Sequence, residues 1–401
     1  MSLREDANEL SGELVRLRHA LHREPELGLD LPRTQEKVLT ALSGLPLTVS
    51  TGKGLSSVTA VLRGARPGPT VLLRGDMDAL PVTERGGAVV SELPGRMHAC
   101  GHDLHTTMLA GAAHLLAARR DRLAGNVVFM FQPGEEGAGG AKIMIDEGVL
   151  DAAGARPAAA YALHVISSVL PQGVFVSRGG PIMAAADRLI VTVRGAGGHG
   201  STPHRASDPI PAACEMVTAL QTMVTRAFDV FDPVVVTVGS FHAGTTDNVI
   251  PDEARFEATV RSFSTGTHAR IQERILTLLN GIAAAHGLSV EARYDISYPV
   301  TVNDASEADF VGTTVREVFD DERRFIRAPQ PFTGAEDFAF VCDEVPSAFV
   351  AMGACPTGVD PARAAYNHSA EASFDDAVLA DGAALYAELA VRRLAREPAT
   401  V

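Results

Sequence analysis

Three short apolar runs that end in chemically active residues constrain this chain more than any other feature. Val71 to Leu73 in PTVLLRGDMDALP leads into Asp76 and Asp78, and Val127 to Phe131 in GNVVFMFQPGEEG leads into Glu135 and Glu136. A third run, AAAYALHV, reaches His164. Apolar runs without polar alternation suit strands buried on both faces, as in a mostly parallel sheet flanked by helices. In open α/β sheets, sites form beyond the carboxyl ends of the strands. All three candidate strands deliver a carboxylate or an imidazole at that end. Helical stretches, such as Thr106–Ala118, fall between them. The expected fold class is therefore α/β.

A different pattern follows from about Asp187. DRLIVTVRG reads as a strand, and DPIPAACEMVTALQTMVTRAF as a helix with prolines at its start, where a missing N–H costs least. VVVTVGSFHAG and EARFEATVRSF alternate like antiparallel strands. THARIQERILTLLNGIAAAHG carries Ile271, Ile275, Leu278 and Ile282 on one helical face and stops at Gly287, and LSVEARYDISYP is a last strand. The order is βαββαβ. Chemically active residues resume after it, at Glu336 and Asp337 in TGAEDFAF and at His368 in AYNHSAEASF. We therefore expect residues 187–300 to be inserted between 1–186 and 301–401, which together form the domain that carries the chemically active residues. A length of 401 residues also favours two domains.

A formal net charge of −14 argues against a nucleic-acid partner, which needs a basic face. The amino terminus reads as one amphipathic helix with Leu10, Leu14, Leu17 and Leu21 near helical spacing, and it lacks the apolar core of a signal peptide. There is no run of about 18 apolar residues, so no membrane span is expected. Cys100, Cys214, Cys342 and Cys355 are scattered, which argues against a disulfide framework and makes a cytoplasmic location the default. The final residues, EPATV, read as a loose tail.

The stretch MHACGHDLHTTM concentrates His98, Cys100, His102, Asp103 and His105. Imidazole, thiolate and carboxylate are transition-metal ligands. Five candidate ligands are on view in the chain: Cys100, His102, Glu136, His164 and His368. With a bridging group and water, five protein ligands can hold two metals. In the pair Glu135–Glu136, adjacent side chains point different ways, so one can bind metal while the other serves as a general base. Each piece has a plainer reading. The glutamates could be a solvated acidic turn, and His164 or His368 a satisfied core histidine. His98, Asp103 and His105 suit support of the ligands, whereas Asp76 and Asp78 could ligate or support. His199 in GAGGHGSTPH suggests backbone approaching a ligand, or only a flexible hairpin loop. Arg261 offers a fork that suits a carboxylate.

GDMDALP, MHACGHDLHTTMLAGAA, FQPGEEGAGGAKIMIDEGVL, ALHV, GGHGSTPH, DNVIPDEARFEATVRS, TGAEDFAF and NHSAEASFDD occur in that order. Together they resemble the amidohydrolase branch of the aminoacylase and acetylornithine-deacetylase superfamily, which includes hippurate hydrolases, N-acyl-amino-acid amidohydrolases and auxin-conjugate hydrolases. The resemblance implies a fold of dinuclear-metallopeptidase type, with the insertion as a lid and dimerisation domain. It implies two divalent metal ions (zinc, manganese, nickel or cobalt) on Cys100, His102, Glu136, His164 and His368. Glu135 takes the place of the general base and His199 that of a lid histidine that polarises the scissile carbonyl, often from a partner subunit. Asn248 and Arg261 match residues that hold the substrate's carboxylate or oxyanion, and the loop at Gly334 would line the pocket. The implied reaction is hydrolysis of a small N-acyl amino acid by a homodimer or higher homo-oligomer. Where other branches carry His-x-Asp after the first strand, this chain has Asp76-Met77-Asp78, which leaves open which residue bridges the metals. Two rivals from other classes remain: a non-catalytic metal-binding protein and a thiol enzyme with Cys100 as nucleophile.

Overall fold

The computed structural model describes residues 2–396. They form two compact units: one runs to Ile182 and takes in Val302–Gln330 and the chain from Asp337 onward, and the other is Met183–Thr301 with Pro331–Glu336.

The first unit is built on an eight-stranded sheet. Its strand order is Leu47–Thr51, Val58–Arg63, Ala124–Gln132, Arg66–Asp76, Ala159–Ile166, Ser347–Gly353, Phe175–Ser177, Phe325–Arg327. The four middle strands are mutually parallel, with Leu72 opposite both Val128 and Ala160, and Ala351 opposite His164. The three expected apolar runs all lie among them. Residues 71–76, 127–132 and 159–163 are buried without interruption, as strands covered on both faces must be. The helix His102–Ala117 is buried on nearly every side, so its sequence shows little amphipathic pattern. It starts four residues before the expected Thr106, which puts His102 and Asp103 in its first turn. The single amino-terminal helix expected is instead two, Leu3–Glu9 and Ser11–Arg23. The Ser11 hydroxyl donates to the Asn8 carbonyl at 2.7 Å, a local bond that competes with helix continuation. The tail EPATV lies outside the described residues.

The second unit holds a four-stranded antiparallel sheet in the order Val234–Ala243, Glu253–Ser262, Ala185–Arg194, Ser289–Tyr298. Two helices, Pro209–Ala227 and Thr265–Ala285, pack on it and share its apolar core around Leu189, Met216, Phe256 and Ile275. The βαββαβ order is thus found, with a two-residue ladder added between Gly198–His199 and Val249–Ile250.

Among the described residues no helix is long and apolar enough to cross a membrane.

Candidate metal centre

The carboxyl ends of the parallel strands assemble the site. Asp76 is the last residue of its strand, and Glu135 and Glu136 sit in the turn after Gln132. His164 lies near the end of Ala159–Ile166. Cys100 and His102 flank Gly101 at the start of the buried helix. Gly101 has φ +81°, and a Cβ there would come within 2.3 Å of the Val165 side chain, so glycine is required for the two ligand candidates to turn inward. His368 arrives on a loop in the left-handed region at φ 72°, its N–H bonded to the Ala99 carbonyl at 2.8 Å.

The five expected ligands converge. Cys100 Sγ lies 3.4 Å from His164 Nε2 and 3.2 Å from His368 Nε2. Glu136 Oε1 is 3.2 Å from His368 Nε2 and 3.9 Å from His102 Nε2. The ligand atoms of Cys100, His102 and His164 all fall within 4.8 Å of one another, as do those of Cys100, Glu136 and His368. Cys100 belongs to both groups. His102, Glu135 and Glu136 form a further such group, which brings Glu135 beside the ligand candidates. Both ring nitrogens of His102 are buried without a hydrogen-bond partner. Buried polar atoms are rarely left unpaired, and a cation would satisfy these. The donor set of thiolate, imidazole and carboxylate fits a divalent transition metal.

The charges are arranged around that convergence. Burial pushes His164 well below the usual histidine range and keeps its ring neutral, with Nδ1 donating to the Val165 carbonyl at 2.9 Å and Nε2 left toward Cys100. Burial would also lower His102, but Asp76, Asp78 and Cys100 outweigh it and raise the ring well above its usual value. Hydrogen bonds to Cys100 and Glu136 raise His368 to about 10. Burial opposes ionisation of Glu136, yet His368 and His102 hold it below the usual carboxylate range. The Glu136 carboxylate and the His102 and His368 rings attract one another, and bound cations would replace the histidine protons.

Asp78 accepts the backbone N–H groups of Glu135 at 2.9 Å and Glu136 at 3.1 Å, so its carboxylate pins the main chain that carries both glutamates. Asp76 is occupied on both oxygens, by Arg74 Nη1 at 2.6 Å and by His105 Nδ1 at 2.5 Å. His105 Nε2 in turn accepts the Val165 N–H at 2.7 Å. Asp103 faces away from the cluster and binds Arg18 Nε and His22 Nδ1, each at 2.8 Å. Burial lowers His98 to about 3, so it stays neutral. Asp337 joins the Arg74 network through Nη2 at 3.0 Å and through Gln132. Arg74 is not among the residues expected at the site, although an arginine inside a doubly buried run, VLLRGD, signals a buried ion pair.

The remaining predicted residues lie in the second unit. His199 is exposed and pairs with Val249 in the short ladder. The Ser201 N–H donates to His199 Nδ1 at 3.1 Å, which leaves Nε2 to carry the proton of the neutral ring. The glycines around it serve backbone packing: a Cβ on Gly200 would come within 3.1 Å of the Asn248 main chain. Asn248 is exposed, and its carbonyl accepts the Gly200 N–H at 2.8 Å. Arg261 is half-buried on Glu253–Ser262, and burial lowers its guanidinium despite the nearby charge of Asp187. Gly334 is exposed, with its carbonyl bonded to the Ala184 N–H at 2.9 Å.

Comparison with known proteins gives the family. Residues 72–392 match the model of peptidase family M20/M25/M40. The chain is 35% identical over 396 residues to thermostable carboxypeptidase 2 of Saccharolobus solfataricus, covering 97% of this chain and 98% of that one. It is 34% identical to the hippurate hydrolase of Campylobacter jejuni, covering 98% and 100% respectively. A crystal structure from Bacillus subtilis, described as a dinuclear metal-binding peptidase of the M20 family, superposes with TM-score 0.82 at 31% identity, covering 96% of this chain and 99% of that one. The chain belongs to peptidase family M20/M25/M40 and is a metal-dependent amidohydrolase.

Proposed function

We propose that this enzyme hydrolyses the amide bond of N-acyl amino acids at a centre of two divalent metals. The observation that carries the reading is Cys100, shared by two groups of ligand-type atoms: Cys100 with His102 and His164, and Cys100 with Glu136 and His368. Together Cys100, His102, Glu136, His164 and His368 would hold the two metals. Bound metals would supply an activated water and polarise the scissile carbonyl.

Glu135 takes the proton of that water and returns it to the leaving amine. Its main-chain N–H is held by Asp78, which fixes the backbone that carries the carboxylate. His199, with its proton on Nε2, donates to the developing oxyanion, a contribution commonly worth about 3 kcal/mol per donor. Asn248 and Arg261 hold the substrate's carboxylate, and the loop at Gly334 lines the pocket. Substrate with a free α-carboxylate is also what the names of the hippurate hydrolase and the carboxypeptidase relatives describe. In the same reading, residues 187–300 act as a lid and dimerisation domain of a homo-oligomer. Four free cysteines fit a cytoplasmic location.

A second reading has one observation in its favour: Cys100 Sγ with two imidazole nitrogens at 3.2 and 3.4 Å resembles an activated thiol. It gives Glu136 and His102 no task. Metal content per chain, with hydrolysis of hippurate and N-acetyl-methionine followed before and after chelation, separates the two. Two metals per chain, activity lost on chelation and regained with Mn²⁺, Co²⁺ or Zn²⁺ are expected. Cleavage that survives complete metal removal would return Cys100 to the role of nucleophile.

A further inference from the structure

Asn367 precedes His368 on the loop that brings this histidine to the site, and its side-chain amide ties together the segments that carry three of the ligand candidates. Nδ2 donates to the Val165 carbonyl at 2.9 Å and faces the Cys100 carbonyl at 3.3 Å and Cys100 Sγ at 3.8 Å. Oδ1 accepts the Ser167 N–H at 2.9 Å and the Ser167 hydroxyl at 3.0 Å. That hydroxyl lies 2.7 Å from the Ala365 carbonyl, back on the loop itself. The Val165 carbonyl also receives the Nδ1 proton of His164, the bond that turns His164 Nε2 toward Cys100. One amide thus bears on Cys100 through its carbonyl and sulfur, and on His164 through the carbonyl that sets its tautomer. It bears on His368 through the chain. His368 needs such a brace, because a non-glycine residue at φ 72° holds that conformation only when its surroundings impose it.

We propose that Asn367 is a positioning residue for the metal centre: its donor half orients Cys100 and His164, and its acceptor half anchors the His368 loop to Ser167. The proposal rests on the assignment of these residues as metal ligands. Groups that hydrogen-bond metal ligands act in this way, and their loss costs about 10–100-fold in metal affinity.

Two variants separate the halves. Asn367→Asp keeps the acceptor toward Ser167 and loses the donor; Asn367→Ala loses both. Cobalt is titrated into the metal-free wild type and variants, with affinity, stoichiometry and the thiolate-to-cobalt absorption recorded, and melting is followed with and without metal. We expect both variants to bind cobalt about 10–100-fold more weakly. We further expect an altered thiolate band in Asn367→Asp, and a melting deficit larger with metal than without. Wild-type affinity and spectrum in both variants would overturn the proposal. A melting deficit equal with and without metal would do the same, by reducing Asn367 to a fold contact. If the wild type binds no cobalt at all, the metal-centre assignment itself fails and takes this one with it.

Discussion

Arg74 and Asp76 form an ion pair closed off from water, with Nη1 2.6 Å from Oδ2 and both side chains fully buried. Asp76 sits two residues before Asp78, and its Oδ2 lies 3.6 Å from His102 Nε2. Arg74 also binds Asp337 and Gln132, so one guanidinium balances two buried carboxylates. Burial opposes ionisation of Asp76, but Arg74 and the neighbouring histidines hold it well below the usual carboxylate range. In Asp337, burial wins and the carboxyl is raised.

Replacing Arg74 by methionine, Arg74→Met, removes that balance while filling much of the volume. Breaking a buried pair by deleting one partner costs about 3–5 kcal/mol. We expect a loss of that order in the unfolding free energy of the metal-free enzyme, measured by urea denaturation. A loss under about 1 kcal/mol, the level of a surface pair, would mean that the carboxylates are balanced by other groups.

Glu135 and Glu136 are neighbours held by the same carboxylate, yet the proposed mechanism gives them opposite tasks. Glu135→Gln should retain two metals per chain and lose turnover by about 10²–10⁴-fold, the usual contribution of a general base. Glu136→Gln should instead lose metal. Measured metal content and kcat together decide the assignment, and the opposite pattern would exchange the two roles. His199→Ala should likewise keep its metal. If the histidine works across a subunit boundary, mixing His199→Ala with Glu135→Gln chains should restore part of the activity.

His22 donates to two carboxylates, from Nδ1 to Asp103 at 2.8 Å and from Nε2 to Glu84 at 2.9 Å. Burial would lower this ring, but the two carboxylates outweigh it and raise it to about 9, against the nearby charge of Arg18. A raised histidine contributes stability fully below its unfolded value near 6.5 and loses it as pH climbs through the folded value. Stability should therefore fall between about pH 6.5 and 9, by on the order of 3 kcal/mol at most. Urea midpoints measured across that window should fall less steeply in His22→Gln than in wild type, the remaining slope including that of His368, which is also raised. Equal slopes in both would place the titration elsewhere.

Much of the site is legible in the order of residues along the chain. Apolar runs that end in Asp, Glu or His declare buried strands, and the rule that sites form at the carboxyl ends of parallel strands then brings distant residues together. Cys100, His102, Glu136, His164 and His368 span 268 positions, and their types alone name them as candidate metal ligands. The βαββαβ insertion is legible for a similar reason: its strands have one solvated face and therefore alternate. What the sequence does not decide is which atoms point at which. Whether Asp76 faces the ligands or Arg74 depends on how strands far apart in the chain line up across the sheet, and no local pattern carries that information. The approach of His164 and His368 to Cys100, Asp78 as the holder of the main chain of both glutamates and Asn367 as the tie between three segments all follow from long-range packing. The break at Leu10 is invisible in the apolar spacing, because a hydroxyl competing for a helix carbonyl leaves that spacing intact. Side-chain chemistry determined what this protein could bind; tertiary contacts between residues far apart in the chain decided which groups do the holding and which hold them in place.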